Sequence, residues 1–393
     1  MSSLKSRIGS HIVLTLFYLF RLFPVKNRKV YVNNFYGRGY GDSPKYMIDC
    51  LLKESKDYDI VWSVKGNREF PKGVRAVNTD TVVGFIKSIY EEATAKIWID
   101  NSRKYRFERK RKGQYYIQTW HGDIFIKKIQ GDIEEKMSKV EIEHAKNDSK
   151  MIDLFISGNK WFQDKCKQRF FYQGEIAACG LPRRDIFYSD NLLLREQIRK
   201  RLGIPKDVKV LLYVPTFRNE EIKYRHLGEH ASHFDWSLIF SSLQERFGGK
   251  WNGLIRLHPN VAKYSNDLVL PYGVINVTNY DDISELMYIS DVCISDYSSA
   301  LFDFSITRKP GFIFAPDKDK YEDERGYLFS EDVLPFTVAK DINELEKNIR
   351  SFDVELFLDK CSQFYTDILH VYEDGHASEF LVKRIVKICE NSH

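Results

Sequence analysis

Residues 289–304 read ISDVCISDYSSALFDF, and this stretch decides the fold. A short apolar strand, Val292-Cys293-Ile294, runs into a polar turn, Ser295-Asp296-Tyr297. A helix then restarts with Ser298 and Ser299 in its first turn. Strand, loop and helix in that order form the repeating unit of a parallel α/β sheet. The first N–H groups of a helix have no internal partners, and its dipole adds positive potential there. Such an end attracts anions. A plain serine cap on an ordinary helix fits the same spacing, so the neighbouring sequence has to decide.

Around this stretch the pattern repeats. Val208–Val214 reads as a strand ending in Pro215-Thr216-Phe217-Arg218. Gly253–Leu257 is another, with Arg256 inside it and His258-Pro259 at its end. Val274–Val277 and Gly311–Ala315 complete the strands, and Asp235–Phe247 and Asp282–Ile289 are the helices between them. Residues 219–233 carry His226, His230 and His233, spaced for one helix face. No carboxylate pattern accompanies them, so a polar lid loop is expected there rather than a metal site. A charged loop, 317–328, precedes a mostly helical tail from Val354 to Cys389.

The first half alternates in the same way. Strands are expected at 29–35, 59–64, 95–100, 115–119 and 151–157, and helices at 80–92, 160–170 and 191–202. A glycine-rich loop, 37–43, leads to a helix opened by Pro44. It fits a phosphate loop or a tight turn equally. The 115–119 strand ends in Trp120-His121-Gly122-Asp123. An imidazole just beyond a parallel strand is placed for proton transfer, and glycine lets a substrate approach. Lys127 and Lys128 add positive charge nearby, and residues 179–185 read as a linker.

The 393 residues exceed one ordinary core, and two domains are expected. A net charge of +5 suits anionic substrates or a membrane surface and excludes a dedicated nucleic-acid binder. Six scattered cysteines fit buried, reduced thiols rather than disulfides or zinc. Near the N-terminus an apolar run from Ile12 to Phe20 lies between Lys5, Arg7 and Arg21, Lys26, Arg28, Lys29. It is too short to span a bilayer, which takes about 20 apolar residues. It fits an interfacial anchor on an anionic leaflet, or else a helix packed on its domain. Arg103 to Lys112 carries seven basic residues; it reads as a solvated loop or as a contact for lipid phosphates or an anionic acceptor.

Six motifs, in order, carry a resemblance: QTWHG (118–122), GLPRRD (180–185), YVPTFR (213–218), IRLHP (255–259), SDYSSALFDF (295–304) and KYEDERG (320–326). With the Gly-Asp-Ser-Pro-Lys segment at 41–45, they resemble the CDP-glycerol glycerophosphotransferases, the teichoic-acid primases and polymerases. The resemblance implies a GT-B fold: two Rossmann-type α/β domains facing a cleft. The expected division is 1–27 a membrane-associating helix, 28–200 the acceptor domain, 201–353 the donor domain, and 354–393 helices packing back across both. It implies His121 as general base on the acceptor hydroxyl and His258 near the donor pyrophosphate. Gly122, Asp123, Ile124 and Phe125 fall on a donor-contacting loop. Arg183, Pro215, Thr216, Arg256, Ser298, Ser299 and Asp303 fall on donor-binding motifs. The family commonly continues Trp-His-Gly with Thr-Pro, where this chain has Asp123-Ile124, and often has Tyr or Trp where Phe217 stands.

The implied reaction moves glycerol phosphate, or a related polyol phosphate, from CDP-glycerol or CDP-ribitol to a lipid-linked or polymeric acceptor, releasing CMP. The enzyme would sit peripherally on the cytoplasmic face of the membrane. No organic cofactor is implied, and Asp296 and Asp303 are open to Mg²⁺, ribose or glycerol. The alternatives are a GT-B glycosyltransferase using a nucleotide sugar and a non-catalytic scaffold of a wall or capsule assembly complex.

Overall fold

The computed structural model describes residues 2–55, 57–125, 128–216, 234–258, 262, 265, 268–296, 298–318 and 328–391, with backbone alone for 2–10. Phe217, Arg218, the three histidines of 219–233, Pro259, Tyr297, Lys127 and residues 319–327 lie outside the described residues. The chain divides into two units. The first takes Met1–Asp123, Ile129–Tyr188 and Val371–His393; the second takes Ile124–Lys128 and Ser189–His370.

The first unit is built on a seven-stranded parallel sheet. Its strands are β1 (Lys26–Asn33), β2 (Asp59–Val64), β3 (Val74–Asn78), β4 (Ala95–Asp100), β5 (Tyr115–Gln118), β6 (Leu154–Ser157) and β7 (Glu175–Ala178). They lie in the order β3-β2-β1-β4-β5-β6-β7. Helices α2 (Asp42–Glu54), α3 (Val82–Thr94), α4 (Lys139–Ser149) and α5 (Lys160–Phe170) connect them. A parallel sheet covered on both faces needs apolar strands throughout. Val30, Val32, Ile60, Trp62, Ile97, Ile99 and Ile117 supply this, all fully buried in one core with Leu381 and Ile385 of the C-terminal helix Ala377–Glu390.

Several elements differ from the sequence reading. α2 begins at Asp42 rather than Pro44, after an extended Gly41. Pro44 is tolerated because N–H groups in the first turn lack helical partners anyway. The edge strands β3 (VRAVN) and β7 (EIAA) are partly exposed and lack an apolar run. α4 is polar, but it is announced by a reciprocal capping box between Ser138 and Glu141. Residues 179–185 are no linker: Pro182–Tyr188 is a 3₁₀ turn with Pro182, Arg183, Arg184 and Ile186 buried.

The N-terminal helix α1 (Ser2–Phe20) packs one face on this unit. Phe17 meets Trp98 at 6.2 Å between ring centroids, and Phe20 meets Tyr90 at 5.6 Å. Ile12, Tyr18, Leu19 and, just beyond the helix, Leu22 stay exposed. No helix among the described residues is long and apolar enough to cross a membrane.

The second unit has a six-stranded parallel sheet: β8 (Val208–Val214), β9 (Lys250–Ile255), β10 (Val274–Asn276), β11 (Val292–Ser295), β12 (Gly311–Phe314) and β13 (Thr337–Ala339). The order is β10-β9-β8-β11-β12-β13. Among its helices are α6 (Leu192–Leu202), α7 (Trp236–Phe247), α8 (Ile283–Ile289) and α9 (Ala300–Ser305). In each sheet the strand order reverses once, between β1 and β4 and between β8 and β11. Open α/β sheets bind ligands beyond the carboxyl ends of the strands at such a reversal.

Candidate active site

In the first unit the chain leaving β4 and β5 converges at the reversal. Asn101, directly after β4, bonds Asn34 (2.6 Å) and accepts at its side-chain oxygen from the Phe35 N–H (2.8 Å). Its backbone carbonyl lies 2.7 Å from His121 Nδ1. A carbonyl only accepts, so Nδ1 carries the proton of the neutral ring and Nε2 is the basic nitrogen. Trp120 stacks on the imidazole at 4.5 Å and Phe35 closes on it at 5.2 Å. Trp120 holds this pose at φ +51°, and Gly122 follows at +149°, a backbone that disfavours a side chain. His121 is thus oriented, half-buried and within a loop of limited freedom.

Arg183 holds this loop from behind. Its guanidinium, 4% exposed, donates to the His121 carbonyl (2.8 Å) and to Asp42 at the start of α2 (3.2 Å). Its guanidinium is turned inward to these two groups. The glycine-rich loop therefore reaches the His121 region through Asp42, whose other oxygen accepts from Ser43 N–H. That bond lies within the first turn of α2, whose cap residue Gly41 makes no side-chain bond.

Asp123 is tied into the first unit. It is 1% exposed and accepts from Arg184 (2.6 Å), Gly158 N–H (2.9 Å) and Asn159 (2.8 Å). Arg184 reaches on to Glu373 at 2.6 Å. One guanidinium thus serves two buried carboxylates. Burial lifts the Glu373 carboxyl to about 7, against the pull of Arg184 and with help from the Asp123 charge. The folded state then holds a proton that the unfolded chain releases near pH 4.5. The contribution of Glu373 is fully present below that pH and is lost as pH rises to about 7. Glu373→Gln imitates the protonated group. Between pH 5 and pH 8 its unfolding free energy in urea is expected to improve on the wild type by on the order of 1–3 kcal/mol. A difference independent of pH would contradict this. Ile124 and Phe125 are buried, while Lys128 is exposed.

The basic run 103–112 is largely consumed by structure. Arg103 bonds Asp148, Ser149 and Gln130. Lys104 is buried against Asp100 (2.8 Å), Glu92 and Glu108, and burial raises the Asp100 carboxyl to about 8. Lys110 pairs with Asp153, and Arg111 donates to the Arg21 and Phe23 carbonyls. Arg106 and Lys112 are the exposed cations of the run.

In the second unit the reversal holds Thr216 and Asp296, beyond adjacent strands paired through Val214 and Ser295. The Asp296 carboxylate accepts from Thr216 N–H at 2.9 and 3.0 Å and from its hydroxyl at 2.8 Å. Asp296 therefore ties the Pro215-Thr216 turn to β11, which the sequence reading of a metal, ribose or glycerol contact missed. Among the described residues no group of three His, Cys, Asp or Glu side chains could hold a metal ion. The helix that opened the sequence reading, α9, has six residues, so its dipole is small. Its cap, Ser299, sits in helical backbone without a side-chain bond, while Ser298 Oγ accepts from Ala300 N–H at 3.2 Å. Asp303 is buried in the same helix. Arg256 turns to the carbonyls of Val277 and Tyr280 rather than outward. His258, two residues further, is exposed just past β9.

Two parallel α/β units, each with a histidine just beyond a strand, form a scaffold of the kind that binds ligands beyond its strand ends, and the site residues rather than the fold decide the chemistry. The chain belongs to the CDP-glycerol:poly(glycerophosphate) glycerophosphotransferase family, whose profile matches residues 15–387. It is 30% identical to the teichoic acid glycerol-phosphate transferase of Staphylococcus aureus over 97% of this chain and 98% of that one. It is 29% identical to the teichoic acid poly(glycerol phosphate) polymerase of Bacillus subtilis, over 98% of this chain and 52% of that protein. The corresponding Staphylococcus epidermidis polymerase is 28% identical over 88% of this chain. The chain spans about half the length of these two polymerases. The crystal structure of the wall teichoic acid polymerase TagF superposes with a TM-score of 0.83 at 27% identity, over 99% of this chain and 97% of that one. A histidine variant of TagF soaked with CDPG superposes at 0.81 and 27% identity, over 96% of this chain and 94% of that one.

Proposed function

We propose that this chain transfers glycerol phosphate from CDP-glycerol to a hydroxyl of a membrane-associated acceptor, releasing CMP, in the synthesis of a teichoic-acid or capsule-type polymer. The observation that carries the proposal is the oriented imidazole of His121, within a family match covering most of the chain. His121 Nε2 takes the proton of the acceptor hydroxyl. The freed oxygen bonds to the outer phosphorus of the donor, and the bond from that phosphorus to the bridging oxygen breaks. CMP leaves with the electron pair, and His258 offsets the charge that grows on it. Both histidines serve one reaction, as the GT-B arrangement expected for the family requires. Pro215, Thr216, Ser298 and Ser299 line the donor side of this proposal. Incubation with CDP-glycerol, CDP-ribitol, UDP-glucose and CMP-sialic acid tests it. CMP release from CDP-glycerol is expected; turnover of a nucleotide sugar alone would favour the glycosyltransferase reading.

Membrane attachment is part of the same proposal. α1 leaves Ile12, Leu19 and Leu22 exposed beside Arg21, and α3, packed on α1, exposes Val82 and Val83. Apolar side chains flanked by arginine and lysine suit an interfacial position on an anionic leaflet. Deleting the helix would also remove Phe17 from the core, so point changes are the cleaner test. Leu19→Ser with Leu22→Ser is expected to cut pelleting with anionic liposomes several-fold at unchanged melting temperature. Unchanged pelleting would contradict the attachment.

A further inference from the structure

Three side-chain amides lie buried at the carboxyl ends of three adjacent strands of the first unit. Asn34 follows β1, Asn101 follows β4, and Gln118 ends β5. Burying an amide is costly unless its donors and acceptors find partners. An amide can also turn over, exchanging oxygen and nitrogen, so its direction is set by partners that only donate or only accept. Backbone groups set it here. Asn101 Oδ1 accepts from the Phe35 N–H at 2.8 Å, so Asn101 Nδ2 is the atom that donates to Asn34 Oδ1, at 2.6 Å. Asn34 Nδ2 then donates to the Gly39 carbonyl at 3.0 Å. Gln118 Oε1 accepts from the Trp120 N–H at 2.8 Å. Its Nε2 donates to the Ser102 carbonyl at 2.9 Å and to the Tyr116 hydroxyl at 2.8 Å.

What these bonds hold is the surround of one ring. Phe35 and Trp120 both lie against the His121 imidazole, and each has its N–H on a buried amide. Both residues have positive φ, 44° and 51°, a backbone that a non-glycine residue keeps only where its surroundings fix it. The carbonyl that accepts from His121 Nδ1 belongs to Asn101 itself. That residue is tied through its side chain to Asn34, and the carbonyl of the next residue, Ser102, is tied to Gln118. Thr119 N–H donates to the Asp100 carbonyl at 2.8 Å and joins the same two strand ends. Turning the Asn101 peptide, or moving the backbone of either aromatic residue, therefore breaks a bond to a buried amide. Such a bond is expensive to leave unmade away from water. The amides reach the imidazole through the backbone of Phe35, Asn101 and Trp120.

We propose that Asn34, Asn101 and Gln118 are positioning residues for the transfer, which together hold the His121 ring in the plane and the Nδ1–H tautomer that make Nε2 the base. Their role in the reaction rests on the transfer reading above; their hold on the ring does not. The test joins kinetics to nitrogen NMR of the full chain carrying isotope-labelled histidine, the His121 signals being those lost in His121→Gln. Spectra are recorded well above the pH range in which histidine titrates, so that the two ring nitrogens report the neutral tautomer. The wild type is expected to show the Nδ1–H form alone. Asn34→Ala, Asn101→Ala and Gln118→Met should each show both forms. Each should also lower kcat for CMP release about tenfold, with the donor KM within about twofold of the wild type. Gln118→Met keeps the length of the side chain, so it reports where an alanine variant does not fold. Wild-type kcat in the folded variants, a loss that falls on the donor KM alone, or a slow variant whose ring keeps the Nδ1–H form overturns the proposal. Mixed tautomers in variants of a chain that releases no CMP from CDP-glycerol uphold the hold on the ring and refute the transfer reading.

Discussion

Replacing His121 with alanine is expected to lower the rate of CMP release from CDP-glycerol by about 10²–10⁴-fold. The fall should appear in kcat, because the imidazole is proposed to act on the acceptor proton in the transition state rather than to bind the donor. The structure adds a condition that a lone base would lack. The Asn101 carbonyl fixes the tautomer at 2.7 Å, and Trp120 and Phe35 fix the plane of the ring. His121→Gln, which keeps polarity without a basic nitrogen, should be nearly as poor as alanine. Measuring CMP at saturating donor, with donor affinity determined separately, separates the two effects. A His121→Ala variant with near wild-type kcat would remove His121 from the chemistry.

Arg184→Met is expected to be the most damaging single change to stability. It removes the cation bonded to both Asp123 and Glu373, whose side chains are 1% exposed. Removing one partner of a buried ion pair leaves an uncompensated charge and costs about 3–5 kcal/mol. Glu373 offsets part of this by holding its proton, since its carboxyl already sits near 7. Asp123 retains Gly158 N–H and Asn159 but loses its cation. Urea unfolding of the first unit should show the loss, and it should shrink in the Arg184→Met, Glu373→Gln, Asp123→Asn triple variant. A midpoint within error of the wild type for Arg184→Met would mean the triad carries little weight. Because Asp123 follows His121-Gly122 directly, the residual folded protein should also lose activity.

The alternation of strands and helices was legible because parallel strands must be apolar on both faces. Asp59–Val64, Ala95–Asp100 and Val208–Val214 stand where the sequence puts them. The edge strands β3 and β7 were not legible, since one side faces solvent and their apolar run disappears. α4 was missed because it is polar, although Ser138 and Glu141 announced its start. The positions of His121 and His258 beyond strands could be read directly. What could not be read was direction. No string of letters shows that the guanidinium groups of Arg183 and Arg256 reach backbone carbonyls. Nor does it show that the carboxylates of Asp123 and Asp296 accept bonds that fasten loops to strand ends. In the basic run 103–112, Arg103, Lys104 and Lys110 are paired with carboxylates that include Asp148, Glu92 and Asp153, which the sequence alone does not bring together.

The most direct test follows the phosphorus. The full chain is incubated with CDP-glycerol carrying label in the outer phosphate and with a lipid-linked sugar acceptor, and nucleotide and acceptor are analysed by mass spectrometry. The account predicts unlabelled CMP and an acceptor heavier by one or more labelled glycerol phosphates, in equal amounts. Release of CDP, or label retained on the nucleotide, would contradict it.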